Sequence, residues 1–249
     1  MAQKFGQHFL TSQPILDRIA QLICGPGRPR VLEIGPGRGA LTEKLMACAS
    51  HVTAVEIDPD LTSYLRSRFA GAANLELIQA DALEVDFAMH RPDIVAGNLP
   101  YYVATPLIER TVRLGLAGVF LIQKEVALRL AANPGTRDYG FLTVQTQLFA
   151  KPELMFTVPP GAFKPPPKVD SAVVRLTPRN RAREMGIDDV EPFLDFLSAC
   201  FRQKRKTLRN NLRESFSIDG HPESGLRAEQ LSLDELAALW HRLQMCDGL

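Results

Sequence analysis

The chain has 249 residues, 45% of them hydrophobic and 23% charged, the proportions of an ordinary globular protein with length for one large or two smaller domains. Its net charge of +1 argues neither for nor against a nucleic-acid partner, because the charges are unevenly spread along the chain. No stretch reaches the ~18 apolar residues of a membrane span, and neither a signal region nor a transit-type segment is visible, so a cytoplasmic protein is expected. Cys24, Cys48, Cys200 and Cys246 are scattered without a Cys-x-x-Cys and read as reduced thiols. The histidines lack metal-ligand spacing, so no metal is expected.

In chain order, Phe5-Gly6-Gln7-His8-Phe9-Leu10 reads as a packed N-terminal arm. Pro14 opens a helix at a permitted first-turn position, Ile15, Leu16, Ile19, Leu22 and Ile23 form its apolar face, and Gly25-Pro26-Gly27 ends it. Val31-Leu32-Glu33-Ile34 is a short buried strand running into Gly35-Pro36-Gly37-Arg38-Gly39-Ala40 and then a helix, Leu41 to Ala49. A glycine-rich turn of this kind lets backbone approach a ligand closely and presents helix N-terminal N–H groups. A second strand, His51 to Val55, ends in Glu56-Ile57-Asp58. Glu56 lies 21 residues after Gly35, where a carboxylate can accept from both hydroxyls of a ribose. The glycines fit two patterns at once: Gly35-x-Gly37-x-x-Ala40 for a dinucleotide and Gly35-x-Gly37-x-Gly39 for S-adenosylmethionine. They indicate a nucleoside-bearing ligand without choosing between the two; a tight turn without ligand is the plainer alternative.

Asp58 is placed to cap a helix from Pro59 to Phe69. Strand Leu75 to Ile78 leads to Asp81-Ala82, where Asp81 can accept from an adenine amino group or simply cap a turn. The strand Asp93 to Ala96 runs into Gly97-Asn98-Leu99-Pro100-Tyr101. Gly97 and Pro100 stop the ladder, so Asn98 and Tyr101 fall at the carboxyl end of a strand. The Asn98 side chain and a Leu99 or Pro100 carbonyl can accept both hydrogens of a planar exocyclic amine while Tyr101 stacks on its ring. A turn with a capping Asn and a core Tyr accounts for the same residues. A helix from Thr105 to about Leu114, strand Val119 to Ile122, and helices at Lys124 to Ala131 and Phe141 to Leu148 follow. Alternation of this kind predicts a parallel, doubly wound sheet.

Past Leu154 the pattern changes. Thr157 to Lys168 is a loop stiffened by five prolines, with Phe163 at its centre, between two strands of which the second is Ser171 to Leu176. Phe163 is a packing anchor or the second face of a base stacked on Tyr101. From about Arg179 the strands stop, and a helix from Val190 through Phe201 leads into Arg202 to Arg213, twelve residues of which six are Arg or Lys and none is acidic. Leu208 and Leu212 can face a core and leave the basic groups outward. Such a run is a solvated helix face or a phosphate-binding surface. Ser232-Leu233-Asp234-Glu235 is a capping box before an apolar helix. The predicted division is therefore 1–178, an α/β domain, and 179–249, a small all-helical one.

Seven motifs together carry a resemblance: Phe5-Gly-Gln-His-Phe-Leu10, Glu33-Ile-Gly-Pro-Gly-Arg-Gly39, Glu56-Ile-Asp58, Asp81-Ala82, Asn98-Leu-Pro-Tyr101, Val158 to Val174, and Arg205-Lys-Thr-Leu-Arg-Asn-Asn-Leu212. Nearly end to end, the chain resembles the family of small-subunit ribosomal RNA adenine dimethyltransferases of the KsgA type. The resemblance implies a seven-stranded, Rossmann-like class I methyltransferase sheet with S-adenosylmethionine as methyl donor. It also implies a monomer that methylates N6 of two adjacent adenosines, twice each, near the 3′ end of the small-subunit rRNA in an immature 30S-type particle. Carried over residue by residue, His8 and Leu10 contact the cofactor, Gly35 and Gly37 pass beside its methionine part, Glu56 takes the ribose hydroxyls, and Asp81 with Ala82 holds the adenine. Asn98 bridges cofactor and target base, Leu99 and Pro100 complete its loop, and Tyr101 with Phe163 form the stacking pair. Arg202, Lys204, Arg205, Lys206 and Arg209 are expected on RNA. Family members often carry a basic extension before the Phe5 motif, which is almost missing here. Three alternatives have distinct requirements. An Erm-type large-subunit enzyme shares the pocket but not the Arg205–Leu212 motif. A non-catalytic assembly factor has no need of an intact Gly35, Glu56, Asp81 and Asn98 set. A nicotinamide oxidoreductase needs a hydride-transfer partner for which no residues are found.

Overall fold

The computed structural model describes residues 8–100 and 102–246. Five β-rich runs with few charges become sheet: β2 (Arg30–Ile34), β3 (His51–Glu56), β4 (Leu75–Gln79), β5 (Ile94–Asn98) and β6 (Ala117–Gln123), preceded by a two-residue β1 (Phe9–Leu10). β2, β3, β5 and β6 are buried almost throughout, as parallel strands covered on both faces must be. Parallel registers join β3 to β4, β2 to both β3 and β5, and β5 to β6, with Leu32 opposite Thr53 on one side and Val95 on the other.

The crossovers are α1 (Gln13–Cys24), α2 (Ala40–Cys48), α3 (Pro59–Arg68) and α4 (Ala104–Arg113). Pro14 sits in the first turn of α1, and the Asp58 carboxylate caps α3 by accepting from the Asp60 N–H at 2.9 Å. Leu16, Ile19 and Ile23 of α1 join Leu45, Val52, Ala96 and Val119 in one core cluster.

Two further strands, β7 (Ala150–Val158) and β9 (Ser171–Pro178), bring the sheet to seven in the order β4-β3-β2-β5-β6-β9-β7, and a short β8 (Phe163–Lys164) lies between them in sequence. The sheet is mixed: the alternating strands β2 to β6 are parallel, as expected, and β9, from beyond Leu154 where the pattern changes, runs antiparallel to β6, with Phe120 opposite Val174. The proline-rich loop that leads into β9 contains no crossover helix, which a parallel connection requires.

By compactness the chain forms two units, one running to Ala127 and including Glu153–Pro178, the other comprising Leu128–Pro152 and the chain from Arg179 onward. The predicted single boundary after residue 178 therefore leaves out an excursion. Within the second unit, α5 (Lys124–Leu130) ends, α6 (Phe141–Phe149) and a short α7 (Arg181–Glu184) follow in the chain, and α6 sends Val144 and Leu148 into the cluster built by Phe193 and Leu197 of α8 (Val190–Cys200) and Trp240 of α10 (Leu233–Cys246). Phe196 lies 5.3 Å from Trp240 and 5.4 Å from Phe216, ring centre to ring centre. Ser232 and Glu235 form the expected capping box, with the Glu235 N–H donating to the Ser232 hydroxyl at 3.3 Å and the Ser232 N–H donating to the Glu235 carboxylate at 2.7 Å.

The expectation of reduced cysteines is corrected at one pair. Cys24 ends α1, Cys48 ends α2, these helices pack together, and the two sulfurs form a disulfide across a Cα–Cα distance of 6.0 Å. Cys200 is a buried free thiol.

Candidate functional site

Because β4, β3, β2 and β5 are parallel, their carboxyl ends share one edge of the sheet, and the strand order reverses between β2 and β5. Ligands of open α/β sheets bind at that switch point. Here it opens into a cavity of about 460 Å³, lined by Gly35 and Gly37 after β2, Glu56 at the end of β3, Asp81 and Ala82 after β4, and Asn98, Leu99 and Pro100 from β5 onward. His8, Leu10 and Phe163 line it as well.

Gly35 and Gly37 adopt φ of +67° and +58°. A Cβ on Gly37 would stand 3.0 Å from the Phe9 ring, so the turn needs both the left-handed backbone and the missing side chain. The Glu56 carboxylate is buried below this turn, accepting from the Gly37 N–H at 3.0 Å and the Asp58 N–H at 3.1 Å. Burial pushes its pKa above the ordinary carboxylate value, and those two backbone donors draw it partly back. Each carboxylate oxygen keeps a second lone pair for a ligand hydroxyl. Asp81 is held by the Leu83 N–H, which donates to its carboxylate at 2.9 Å.

The Asn98 amide is oriented from an unexpected direction. Its Nδ2 donates to the backbone carbonyl of His8 at 2.8 Å, and since a carbonyl only accepts, the contact fixes which end of the amide is nitrogen. The Oδ1 is thereby the acceptor end. The arm that supplies this carbonyl is stitched down by β1–β8 pairing, which sets Phe9 opposite Lys164 and Leu10 opposite Phe163. Thr11 donates to the Ala162 carbonyl at 2.8 Å, and the His8 ring meets the Pro165 carbonyl at 2.8 Å. Phe163, 3% exposed, is thus fixed in the wall by the arm as much as by its prolines. The Pro100 carbonyl accepts from the Val103 N–H at 3.1 Å in the turn into α4, which leaves the Leu99 carbonyl as the better second acceptor of the loop. Tyr101 and Phe5-Gly6-Gln7 lie outside the described residues.

Two cavity residues were not singled out as site residues from the sequence. Glu33 is 1% exposed on β2, its Oε2 has no hydrogen-bond partner among the described residues, and burial pushes its carboxyl up to about 8. The nearby Thr42 hydroxyl draws that value partly down, and the Glu56 charge raises it. A lone Glu inside the apolar run Val31–Ile34 is the signal that could have found it. Tyr102, 63% exposed at the cavity wall, carried no such signal, since an aromatic after a turn is an ordinary packing residue.

In the helical unit the basic run departs from the expected helix face. Phe201 to Lys206 is a series of turns between α8 and α9 (Leu208–Leu212), and Leu208 and Leu212 are buried below it. The buried Asn211 amide shapes these turns, donating to the carbonyls of Cys200 at 2.7 Å and Gln203 at 3.2 Å. The run has no acids of its own, but distant ones reach it: Arg202 pairs with Glu214 at 3.1 Å, Lys204 with Glu229 at 3.8 Å, and Arg209 with Asp219 at 2.8 Å. Arg205 and Lys206 make no ion pair among the described residues.

Comparison with known proteins gives a uniform result. The sequence model of the ribosomal RNA adenine dimethylase family matches residues 1–244. The Ribosomal RNA small subunit methyltransferase A of Acidobacterium capsulatum is 45% identical, with 97% of this chain and 90% of that protein covered. Its counterpart from Hahella chejuensis is 42% identical over 95% of this chain and 90% of its own length. Among solved structures, a dimethyladenosine transferase from Plasmodium falciparum superimposes with a TM-score of 0.82 at 28% identity, covering 96% of this chain and 98% of that one. The 23S rRNA methyltransferase ErmE superimposes with a TM-score of 0.72 at 27% identity, covering 95% and 99%.

Proposed function

We propose residue roles from the premise that the chain belongs to the ribosomal RNA adenine dimethylase family. It is an S-adenosylmethionine-dependent rRNA adenine dimethyltransferase with a class I methyltransferase sheet and a helical C-terminal part. In our reading its targets are two adjacent adenosines near the 3′ end of the small-subunit rRNA, presented by an immature 30S-type particle to a monomeric, cytoplasmic enzyme.

The donor set fits the cofactor. Gly35 and Gly37 offer a left-handed backbone turn bordering the cavity, Glu56 a buried carboxylate for two vicinal hydroxyls, and Asp81 with Ala82 an acceptor and a backbone donor for an adenine edge. When bound, S-adenosylmethionine supplies an electrophilic methyl group.

What remains is to present a poor nucleophile, because the N6 lone pair of adenine is delocalised into the ring. Asn98 Oδ1 and the Leu99 carbonyl accept the two amine hydrogens and turn the lone pair out of the ring plane. The same acceptors favour the positive charge that grows on nitrogen as it reacts. Phe163, with Tyr101 by resemblance, holds the base between aromatic faces, a position it reaches only when flipped out of its stack. Alignment of this kind supplies several kcal/mol without a general base. Arg205 and Lys206, with Arg202, Lys204 and Arg209, hold RNA phosphates.

The observation that supports this reading is the Asn98 amide, oriented by the His8 carbonyl in the lining of a cavity of about 460 Å³. The test is transfer of labelled methyl groups to small subunits lacking the modification, followed by nucleoside analysis. The expected product is N6,N6-dimethyladenosine in small-subunit RNA. Transfer only to large-subunit RNA, or none despite particle binding, refutes it.

A further inference from the structure

We propose that Arg110, which lies outside the cavity wall, is a positioning residue that sets the adenine selectivity of the cofactor site. The inference rests on the reading of Asp81 as the acceptor for the adenine amino group.

Asp81 belongs to a loop that hangs from β4, the terminal strand of the sheet, so on one side no neighbouring strand supports it. Within the loop, the Leu83 N–H donates to the Asp81 carboxylate at 2.9 Å, and the Glu84 N–H donates to the Asp81 carbonyl at 2.9 Å. The Ala80 N–H ties the start of the loop to the Glu56 carbonyl at 3.1 Å, but none of these bonds ties Ala82 and Leu83 to the rest of the unit. Arg110 does that. From α4 its Nη1 donates to the Ala82 carbonyl at 3.2 Å and to the Leu83 carbonyl at 2.7 Å. Its guanidinium carbon lies 4.5 Å from the centre of the fully buried Phe87 ring, which holds the fork flat.

The two carbonyls belong to the peptide groups just after Ala82 and Leu83, and the first of these carries the Leu83 N–H that orients the Asp81 carboxylate. Fixing the Ala82 carbonyl fixes the plane of the Leu83 N–H, and through that donor the Asp81 carboxylate that an adenine amino group would meet. Arg110 does not border the cavity itself, so it acts through the loop. The helix that carries it begins at Ala104, and the Val103 N–H at that end donates to the Pro100 carbonyl. One helix thus braces the adenine loop at one end and the Asn98 loop at the other.

A site that holds a 6-amino group with a fixed acceptor rejects a 6-oxo ring, because acceptor then faces acceptor. The experiment is calorimetric binding of S-adenosylhomocysteine and S-inosylhomocysteine to the full chain. The wild type is expected to prefer the adenine ligand by at least about tenfold. Arg110→Met keeps an apolar stem on Phe87 but removes both donors, and its preference should fall to within about threefold. Equal weakening of both ligands with an unchanged ratio would mean a purely structural role and would overturn the proposal. If the Met variant does not fold, Arg110→Leu, which keeps an apolar contact with Phe87 and has no donor, is read in its place, and a wild-type ratio there also counts against the proposal. Asp81→Ala separates the two levels: collapse of its ratio beside an unchanged Arg110→Met refutes Arg110 alone. A wild-type ratio in Asp81→Ala refutes the Asp81 reading and this inference with it.

Discussion

Replacing Glu33 by Gln should make the sheet-bearing unit more stable at alkaline pH and remove the part of its pH dependence that this carboxyl carries. Glu33 is 1% exposed on β2, beside the buried Glu56, and its folded-state pKa stands at about 8 against an ordinary 4.5. The carboxyl is neutral in the native protein below that value. The unfolded chain releases its proton already near pH 4.5, so the stability contributed by the protonated group is complete below pH 4.5 and is lost as pH rises through 8. With one proton involved, the slope approaches ~1.4 kcal/mol per pH unit, for a total on the order of 5 kcal/mol. Gln has the same shape and no proton to lose. Urea unfolding followed through amide exchange of β2 and β5 isolates this unit. Between pH 5 and pH 8.5 the wild type should lose at least about 2 kcal/mol more than Glu33→Gln. Parallel pH profiles for the two proteins would show that Glu33 titrates like an exposed carboxylate, and the buried-acid reasoning would be wrong.

Asn98→Ala should leave cofactor affinity nearly unchanged and lower kcat/KM by at least about tenfold, roughly 1.4 kcal/mol of transition-state stabilisation. Asn98→Asp should be similarly impaired although it keeps two acceptors, since it cannot donate to the His8 carbonyl 2.8 Å away; wild-type turnover in either variant removes the assigned role. Gly97→Ala would set a Cβ 2.4 Å from the Ile34 carbonyl oxygen, a backbone atom of the neighbouring strand, so thermal denaturation should show a loss of about 1–3 kcal/mol or more together with weakened cofactor binding. Neutralising Arg205 and Lys206 together should reduce the salt dependence of RNA binding by about two charges, with folding unaltered, whereas Arg209→Gln alone should have a smaller effect because Asp219 already pairs with it. An unaltered salt slope in the double variant would identify the run as a solvated face.

How far the residues alone reach is clearest at the cavity. A strand followed by glycines and a helix, an acid 21 residues on, and Asn-Leu-Pro after a further strand are each settled by local propensity and spacing. Parallel strands then bring their carboxyl ends to one edge whatever their order. Hence Gly37, Glu56, Asp81 and Asn98 were nameable before any fold was seen. The capping by Asp58 and Ser232 was legible for the same reason, since the bonded groups lie within three residues of each other. What needed the tertiary structure depends on partners distant in sequence. The His8 carbonyl reaches Asn98 across 90 residues, and Leu10 meets Phe163 through a β1–β8 pairing too short to leave a pattern. Periodicity says which face of a strand is buried but not which way its neighbour runs, so the antiparallel direction of β9 comes from the tertiary structure alone. Nor does it say which cluster an apolar helix joins, and Leu128–Pro152 went to the helical unit. Charge runs and cysteines show the same limit: the acids that pair Arg202, Lys204 and Arg209, and the approach of Cys24 to Cys48, exist only after loops have closed. Local sequence determined the elements and the chemistry they carry. Long-range packing decided which carbonyl orients which side chain, because that choice is made by groups with no sequence proximity to encode it.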